Sequence, residues 1–410
     1  RRRKQEPVTY PSDAVRKVLE RTLGVPIFQE QVMELAMVAA GFTPGEADQL
    51  RRSMAAWRRS GSLDRFEEKL KHGMRENGYS AEFAESIYRQ ILGFGEYGFP
   101  ESHSVSFALL AYVSAWLKRH EPAAFLAALL NSQPMGFYAP SQLVQDARRH
   151  GVEVRPVSVT ASEWECTLES VPSSPQPAVR LGLLMARGLA ETAAKRIVEA
   201  RAQRIFESAD DLAHRAAIDR RDLKCLAAAD ALRPLAGHRR EAHWSVAGIA
   251  TGSHVLSGAP VAERRPELAP HAEGESLVAD YASTGLTLGR HPLALLRRRL
   301  SRMRFATADE LKRLPSGAWA RAAGIVTGRQ RPGTASGTVF VTLEDETGCV
   351  NVIVWPHLIE RQRRELLSSK LMGVEGTLER EGEVMHLIAQ RLVDHSDLVR
   401  SLQVESRDFH

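Results

Sequence analysis

Residues 93–104, "GFGEYGFPESHS", bring three glycines, three aromatic rings, a proline, a histidine and two serines to the mouth of an apolar run, "VSFALLAYVSAWLKRH". Glycine lets a backbone approach a ligand closely, and a serine at a helix start caps exposed N–H groups. Ser102 and Ser104 are placed to cap the following helix. A structural corner between two helices would use the same residues. Two arginine clusters also suit polyphosphates. "LRRSMAAWRRSG" (50–61) gathers Arg51, Arg52, Arg58 and Arg59, and "LALLRRRLSRMRF" (293–305) gathers five more. Guanidinium groups grip phosphate oxygens bidentately and stay charged at any working pH, although plain solvated faces share this composition.

Two further stretches carry nucleic-acid chemistry. In "LLMARGLAETAAKRIVEA" (183–200), Gly188 and Leu189 match the start of a helix-hairpin-helix, and Lys195 lies on the helix that follows. That motif turns backbone N–H groups towards a DNA phosphate. Ala190 stands where the second glycine belongs, so an ordinary helical turn fits as well. The last hundred residues switch to period two. "ARAAGIVTGR", "TVFVTLED" and "CVNVIVW" predict three strands, "PHLIERQRRELLSS" a helix opened by proline, and "LMGVEGTLERE" with "EVMHLIAQRL" a closing pair. Strand, strand, strand, helix, strand, strand is the order of an OB-fold barrel, a carrier of single strands or of protein partners. Arg329 and Arg331 flank its first turn.

Helical elements must position the first loop. Residues 13–40 read as one helix, with Ile27, Val32, Leu35, Ala36 and Ala39 at helical spacing up to Gly41. A second begins at a capping box of Thr43, Pro44 and Glu46; residues 62–76, 80–92 and 105–119 give three more, and Pro122 starts another. The chain is therefore read as multidomain: an all-α domain over 1–155, a helix-hairpin-helix region over 156–245, a linker with a short helix over 246–312, an all-β OB barrel over 313–400 and a tail over 401–410.

The bulk composition sets limits. A chain of 410 residues exceeds one ordinary core, and 43% hydrophobic with 26% charged residues is a globular balance. Net charge is +5, and no apolar run reaches the ~20 residues of a membrane span. Cys166, Cys225 and Cys349 form no C-x-x-C, which argues for a reducing, cytoplasmic setting and against a cysteine zinc site. His238 and His243 have no acidic or thiol companion at metal spacing.

Taken together, "GVPIFQEQVMELAMVAAGFTPGEADQLRRSM", "FGEYGFPESHSVSFALLAYVSAWLKRHEPAAFLAALLNS", the hairpin and the barrel resemble the bacterial C-family DNA polymerases, the alpha subunits of DNA polymerase III. "FPESHS", "NSQPMGFYAP" and "STGLTLGRHPLALLRRRL" resemble the error-prone, damage-inducible branch. The resemblance makes the first domain the fingers, which close on the incoming nucleotide. It implies nucleotide binding by Arg51, Arg52, Tyr97, Gly98, His103 and Ser104, and DNA binding by Gly188, Lys195, Arg329 and Arg331. Glu101 stands where replicative members carry a lysine, which removes a positive charge beside the nucleotide.

The resemblance also implies Mg2+, held by palm aspartates in an Asp-x-Asp motif. No such motif occurs in these residues, and the chain lacks an initiating methionine, so it is expected to be a carboxy-terminal part that does not polymerise alone. Implied partners are primer-template DNA, deoxynucleoside triphosphates, accessory mutagenesis proteins and, indirectly, the sliding clamp, with no membrane. A replicative alpha subunit and a non-enzymatic DNA-binding protein are the alternatives.

Overall fold

A computed structural model describes residues 1–60, 64–94, 100–135, 138–172, 174–249, 267–333, 335–382, 384–400 and 407–409; side chains at 55–60, 64, 65, 93, 94 and 407–409 are not among those described. It divides into two compact units, Arg1–Trp116 and Leu117–His410, taken in turn.

The first unit is helical. Ser12 accepts the Val15 N–H and starts α1 (Asp13–Leu19), and α2 (Gln29–Ala40) follows after a break. The single helix predicted over 13–40 is thus two. Leu23 and Gly24 adopt positive φ and Pro26 lacks an N–H, so the chain turns out of helix there. Buried Gln31 seals the break: its Oε1 accepts from the Ile27 and Phe28 N–H groups, and its Nε2 donates to Val18 O and Thr22 Oγ1. The predicted capping box opens α3 (Pro44–Ser60), with Glu46 accepting the Thr43 N–H at 3.0 Å and Thr43 Oγ1 accepting the Glu46 N–H at 3.4 Å. α4 (Asp64–Glu76) and α5 (Ala81–Phe94) complete the core, in which Leu35, Leu50, Leu70, Met74, Ile87 and Ile91 are buried. Lys71 ties these two helices, pairing with Glu67 and Glu85 and lying over the Tyr88 ring. The next helix, α6 (Glu101–His120), buries no residue; Leu109 and Tyr112 are 63% and 71% exposed.

In the second unit, α7 (Pro122–Asn131) and α8 (Pro140–Arg149) lead into a small sheet of β1 (Val154–Arg155), β2 (Thr167–Glu169) and β3 (Ala178–Arg180), ordered β1-β3-β2. Five helices follow: α9 (Glu191–Gln203), α10 (Ala209–Arg215), α11 (Arg220–Ala228), α12 (Arg233–Ala236) and α13 (Arg239–Gly248). Leu126, Leu130 and Val144 from α7 and α8 share one core with Val179, Ile197, Leu223 and Leu226. The first domain therefore does not run to residue 155 as a packing unit, because the leucines of α7 bury against the hairpin region.

The segment read as a linker is largely folded. α14 (Glu273–Thr284) and α15 (Pro292–Arg302) put Leu277, Tyr281, Leu293 and Leu300 into a core with Phe305, Ile325 and Leu371, and α16 (Ala308–Lys312) puts Ala308 and Leu311 into the barrel core. Buried Arg239 holds α14 to α13, bonding Asp280 at 2.6 Å and the Ala228 and Ser276 carbonyls. Residues 250–266 lie outside the described residues.

The barrel is built of β4 (Trp319–Gln330), β5 (Val339–Glu344), β6 (Cys349–Val354), helices α17 (Pro356–Arg361) and α18 (Arg363–Ser368), then β7 (Leu371–Glu381) and β8 (Val384–Asp394). The sheet order β5-β6-β8-β7-β4 closes because long β4 pairs with β7 over its first half and with β5 over its second. β9 (Arg407–Phe409) runs parallel to the end of β4. The turn between β5 and β6 is built on a buried carboxylate. Asp345 is 2% exposed and accepts from the Thr347, Gly348 and Ala308 N–H groups and from Thr347 Oγ1, with Arg297 of α15 beside it.

Neighbouring Glu344 is 5% exposed, and burial pushes its carboxyl up to about 7. The nitrogens nearest to it, on Arg149 at 3.8 Å and on His291 at 3.9 Å, are beyond hydrogen-bond reach. His291 Nδ1 accepts the Leu293 N–H, and burial drives its pKa down to about 4, so the ring is neutral.

Two stability outcomes follow from this packing. A Cβ on Gly73 would lie 2.1 Å from the Ala40 carbonyl oxygen. Gly73→Ala should therefore destabilise by about 1–3 kcal/mol, against the gain of about 1 kcal/mol expected in an open helix. Urea unfolding measures the sign. For Glu344, the native state holds its proton up to about 7 and the unfolded state only to the ordinary 4.5, so the carboxyl costs stability as pH rises through that window. Glu344→Gln should then be more stable than the parent by at most about 3 kcal/mol at pH 8, with the difference closing towards pH 4.5. His291 has the opposite slope between pH 4 and 6.5, but it is common to both proteins and cancels in the difference.

Candidate nucleotide and nucleic-acid interface

The arginine pair sits on the exposed side of α3. Arg51 donates from Nε and Nη2 to Asp48 Oδ1 at 3.0 and 2.8 Å, and Arg52 reaches Asp48 Oδ2 at 2.8 Å. The two guanidinium groups hold Asp48 below the usual carboxylate range, Arg51 most strongly. Arg52 is 75% exposed, and pairs in such a setting contribute little stability. Both side chains are thus placed to exchange one carboxylate for a phosphate. The side chains of Arg58 and Arg59, and all of Tyr97 and Gly98, lie outside what is described.

The turn after that loop differs from the expected cap. α6 starts at Glu101, so Ser102 and Ser104 are inside its first turn. Ser104 Oγ donates to Pro100 O at 3.0 Å instead of capping an N–H. The first N–H, that of Glu101, is taken by the Glu30 carboxylate at 2.8 Å, and Arg21 binds both Glu101 oxygens at 2.6 and 3.1 Å. His103 is exposed, with its ring 4.4 Å from Phe107. Among the described residues no hydrogen bond or ion pair joins this turn to the arginines of α3.

In the hairpin, Gly188 adopts φ 83°, a left-handed conformation that a side chain would strain. Ala190 is the residue before α9, and its N–H donates to Asp222 of α11 at 3.2 Å. The amide that would meet a phosphate thus carries a carboxylate. Lys195 is 62% exposed and pairs with Glu191 at 2.7 Å.

The barrel corrects one assignment. Arg329 is 6% exposed and donates to the Leu366 and Ser369 carbonyls, each at 2.6 Å, so it ties down the end of α18 and presents no guanidinium to a strand. Period two points β4 position 329 inward towards that helix. Arg331, just past the strand end, is exposed.

The outward face of the barrel was missed in the sequence, although alternation along "TVFVTLED" could have found it. Val339, Val341 and Leu343 are core, so Phe340 and Thr342 face out. Register sets Phe340 beside Ile353 and Ile388, and Thr342 beside Asn351 and His386. His386 Nδ1 is buried without a hydrogen-bond partner among the described residues. An aromatic ring, three side chains with hydrogen-bonding groups and a nearby exposed guanidinium are what stacking and phosphate contact on a single strand require.

No group of three His, Cys, Asp or Glu side chains that could hold a metal occurs among the described residues, and no described helix is long and apolar enough to cross a membrane.

Comparison with known proteins agrees with this layout. Residues 1–78 match the bacterial DNA polymerase III alpha subunit finger domain, 151–242 the helix-hairpin-helix motif, and 320–394 the OB-fold nucleic acid binding domain. Among solved structures, asparaginyl-tRNA synthetase from Pyrococcus horikoshii complexed with asparaginyl-adenylate aligns over 22% of each chain, at 20% identity and a TM-score of 0.20, too low to carry an argument. The error-prone DNA polymerase of Azoarcus sp. (strain BH72) is 64% identical over 98% of this chain and 38% of its own length. That of Aromatoleum aromaticum (strain DSM 19018 / LMG 30748 / EbN1) is 60% identical over 99% of this chain and 40% of its own length. The chain thus spans about two fifths of these relatives, and by identity along nearly all of its residues it belongs to the family of bacterial error-prone DNA polymerases.

Proposed function

We propose that this chain provides the nucleotide-closing and DNA-holding parts of an error-prone DNA polymerase, a nucleotidyltransferase whose parent copies damaged template during DNA replication and repair. The observation that carries the reading is the 64% identity to an error-prone DNA polymerase across 98% of the chain. Arg51 and Arg52 exchange Asp48 for the triphosphate, and the first turn of α6, with Tyr97, Gly98, His103 and Ser104, closes on the nucleotide or the templating pair. Gly188 and Lys195 hold duplex phosphates, and Arg331 with the Phe340 face guides the single strand. Deoxynucleoside triphosphates and primer-template DNA are the ligands. Accessory mutagenesis proteins and, through them, the sliding clamp are partners in the cytoplasm. Mg2+ would supply charge stabilisation at the transferred phosphoryl group. The described residues offer no fitting donor set, so its ligands would come from other parts of the parent.

Two measurements test this reading. The 410-residue chain should bind a single-stranded oligonucleotide with affinity that falls steeply with salt. Arg331→Ala should flatten the log–log slope by about 0.7, and Phe340→Ala should cost about 1–3 kcal/mol. Arg329→Ala should lower folding stability and leave the slope unchanged; no salt-dependent binding at all would make the barrel a protein-docking module. In the full-length enzyme, Glu101→Lys breaks the Arg21 pair and adds a cation beside the nucleotide. Tighter triphosphate binding with less misincorporation is expected, and unchanged values of both would dismiss the link between this turn and relaxed selectivity.

A further inference from the structure

A cavity of about 440 Å3 opens where α7 and α8 meet the β5–β6 hairpin, within the range of small-ligand sites. Phe125, Leu129, Leu143, Met135 and Tyr138 give it apolar and aromatic walls. Glu344 also lines it, and its buried Oε1 has no hydrogen-bond partner among the described residues. A buried acceptor left unpaired is costly, and an N–H from a ligand would satisfy it.

The place of Glu344 in the sheet says which ligand. Glu344 pairs with Cys349 across β5 and β6, one row on from Thr342 and Asn351 and two rows from Phe340 and Ile353. Side chains two residues apart share a face, with rows about 7 Å apart. The single-strand face of the barrel therefore continues directly into the cavity. Lys118, Arg149 and His150 also line it, with Lys118 held by Asp146 at 2.8 Å.

We propose that this cavity is a nucleobase pocket: it takes one unstacked base from the strand carried by the barrel face, with an amino or imino N–H of the base donating to Glu344 Oε1. The rings of Phe125 and Tyr138 provide stacking surface, while Arg149 and His150 lie where the sugar-phosphate of that nucleotide would pass. Guanine, with two adjacent N–H groups on one edge, suits a carboxylate best. The inference rests on the barrel reading above.

The test uses the 410-residue chain with a 13C-labelled Met135 methyl as reporter, titrated with deoxyguanosine and with purine deoxyribonucleoside, which keeps the ring but has no N–H donor. Deoxyguanosine should shift the methyl at concentrations about tenfold lower. Glu344→Leu should erase that preference, Glu344→Gln, which keeps the acceptor oxygen, should retain it, and Leu129→Trp, which fills the cavity, should abolish both shifts. Equal affinities in the parent, no shift with either nucleoside, or a shift only with N-acetyl-tryptophanamide would overturn the proposal; the last would reassign the cavity to a peptide side chain. Oligonucleotide binding that is lost in Phe340→Ala but untouched by Leu129→Trp would keep the barrel reading and remove the pocket alone.

Discussion

One buried carboxylate organises the carboxy-terminal half of the molecule. Asp345 sits at the β5–β6 turn, yet its oxygens also accept the N–H that starts α16 and lie beside Arg297 of α15. A charge with so little exposure is tolerable only when several donors converge on it. Those donors come from the turn, from a preceding helix start and from a helix further upstream. Hairpin register, the seat of α16 and the position of α15 are thereby made one problem with one solution. Arg297 is shared with Glu346, which fixes it from a second side. The hairpin held in this way carries the Phe340 face on its outer side and Glu344 at its end.

Period and punctuation revealed most of the architecture in advance. The capping box at Thr43 and Glu46, the five strands of the barrel and the helical stretch between them, which Gln362 divides into α17 and α18, are local patterns, and local patterns survive folding. What could not be read was long-range. Arg329 looks like any exposed arginine near a turn until the carbonyls at the end of α18 arrive beside it. The helices of residues 273–312 lack long apolar repeats, and a composition rich in Ala, Gly and Pro around them resembles a connection. Their order comes from Arg239 and from the barrel surface, neither of which is adjacent in sequence. The break inside residues 13–40 was visible as Gly24 and Pro26, but the apolar periodicity on either side outweighed it.

The two helix starts that a phosphate should find most attractive are both held by carboxylates. Glu30 takes the first amide of α6, and Asp222 takes the amide ahead of α9. A helix N-terminus favours any anion, and an internal one is always at hand. A ligand phosphate at either place must displace a carboxylate, so its binding free energy is the difference between two charge-assisted contacts. Ligand binding at such a site is coupled to the release of a side chain that bridges neighbouring elements.

The clasp between Arg239 and Asp280 spans 41 positions of chain, with α13 at one end and α14 at the other. The two ends are fixed relative to each other by the guanidinium and its three partners, whatever the intervening chain does. The hairpin region and the helix that packs on the barrel are thus joined by a part-buried ion pair as well as by the chain itself.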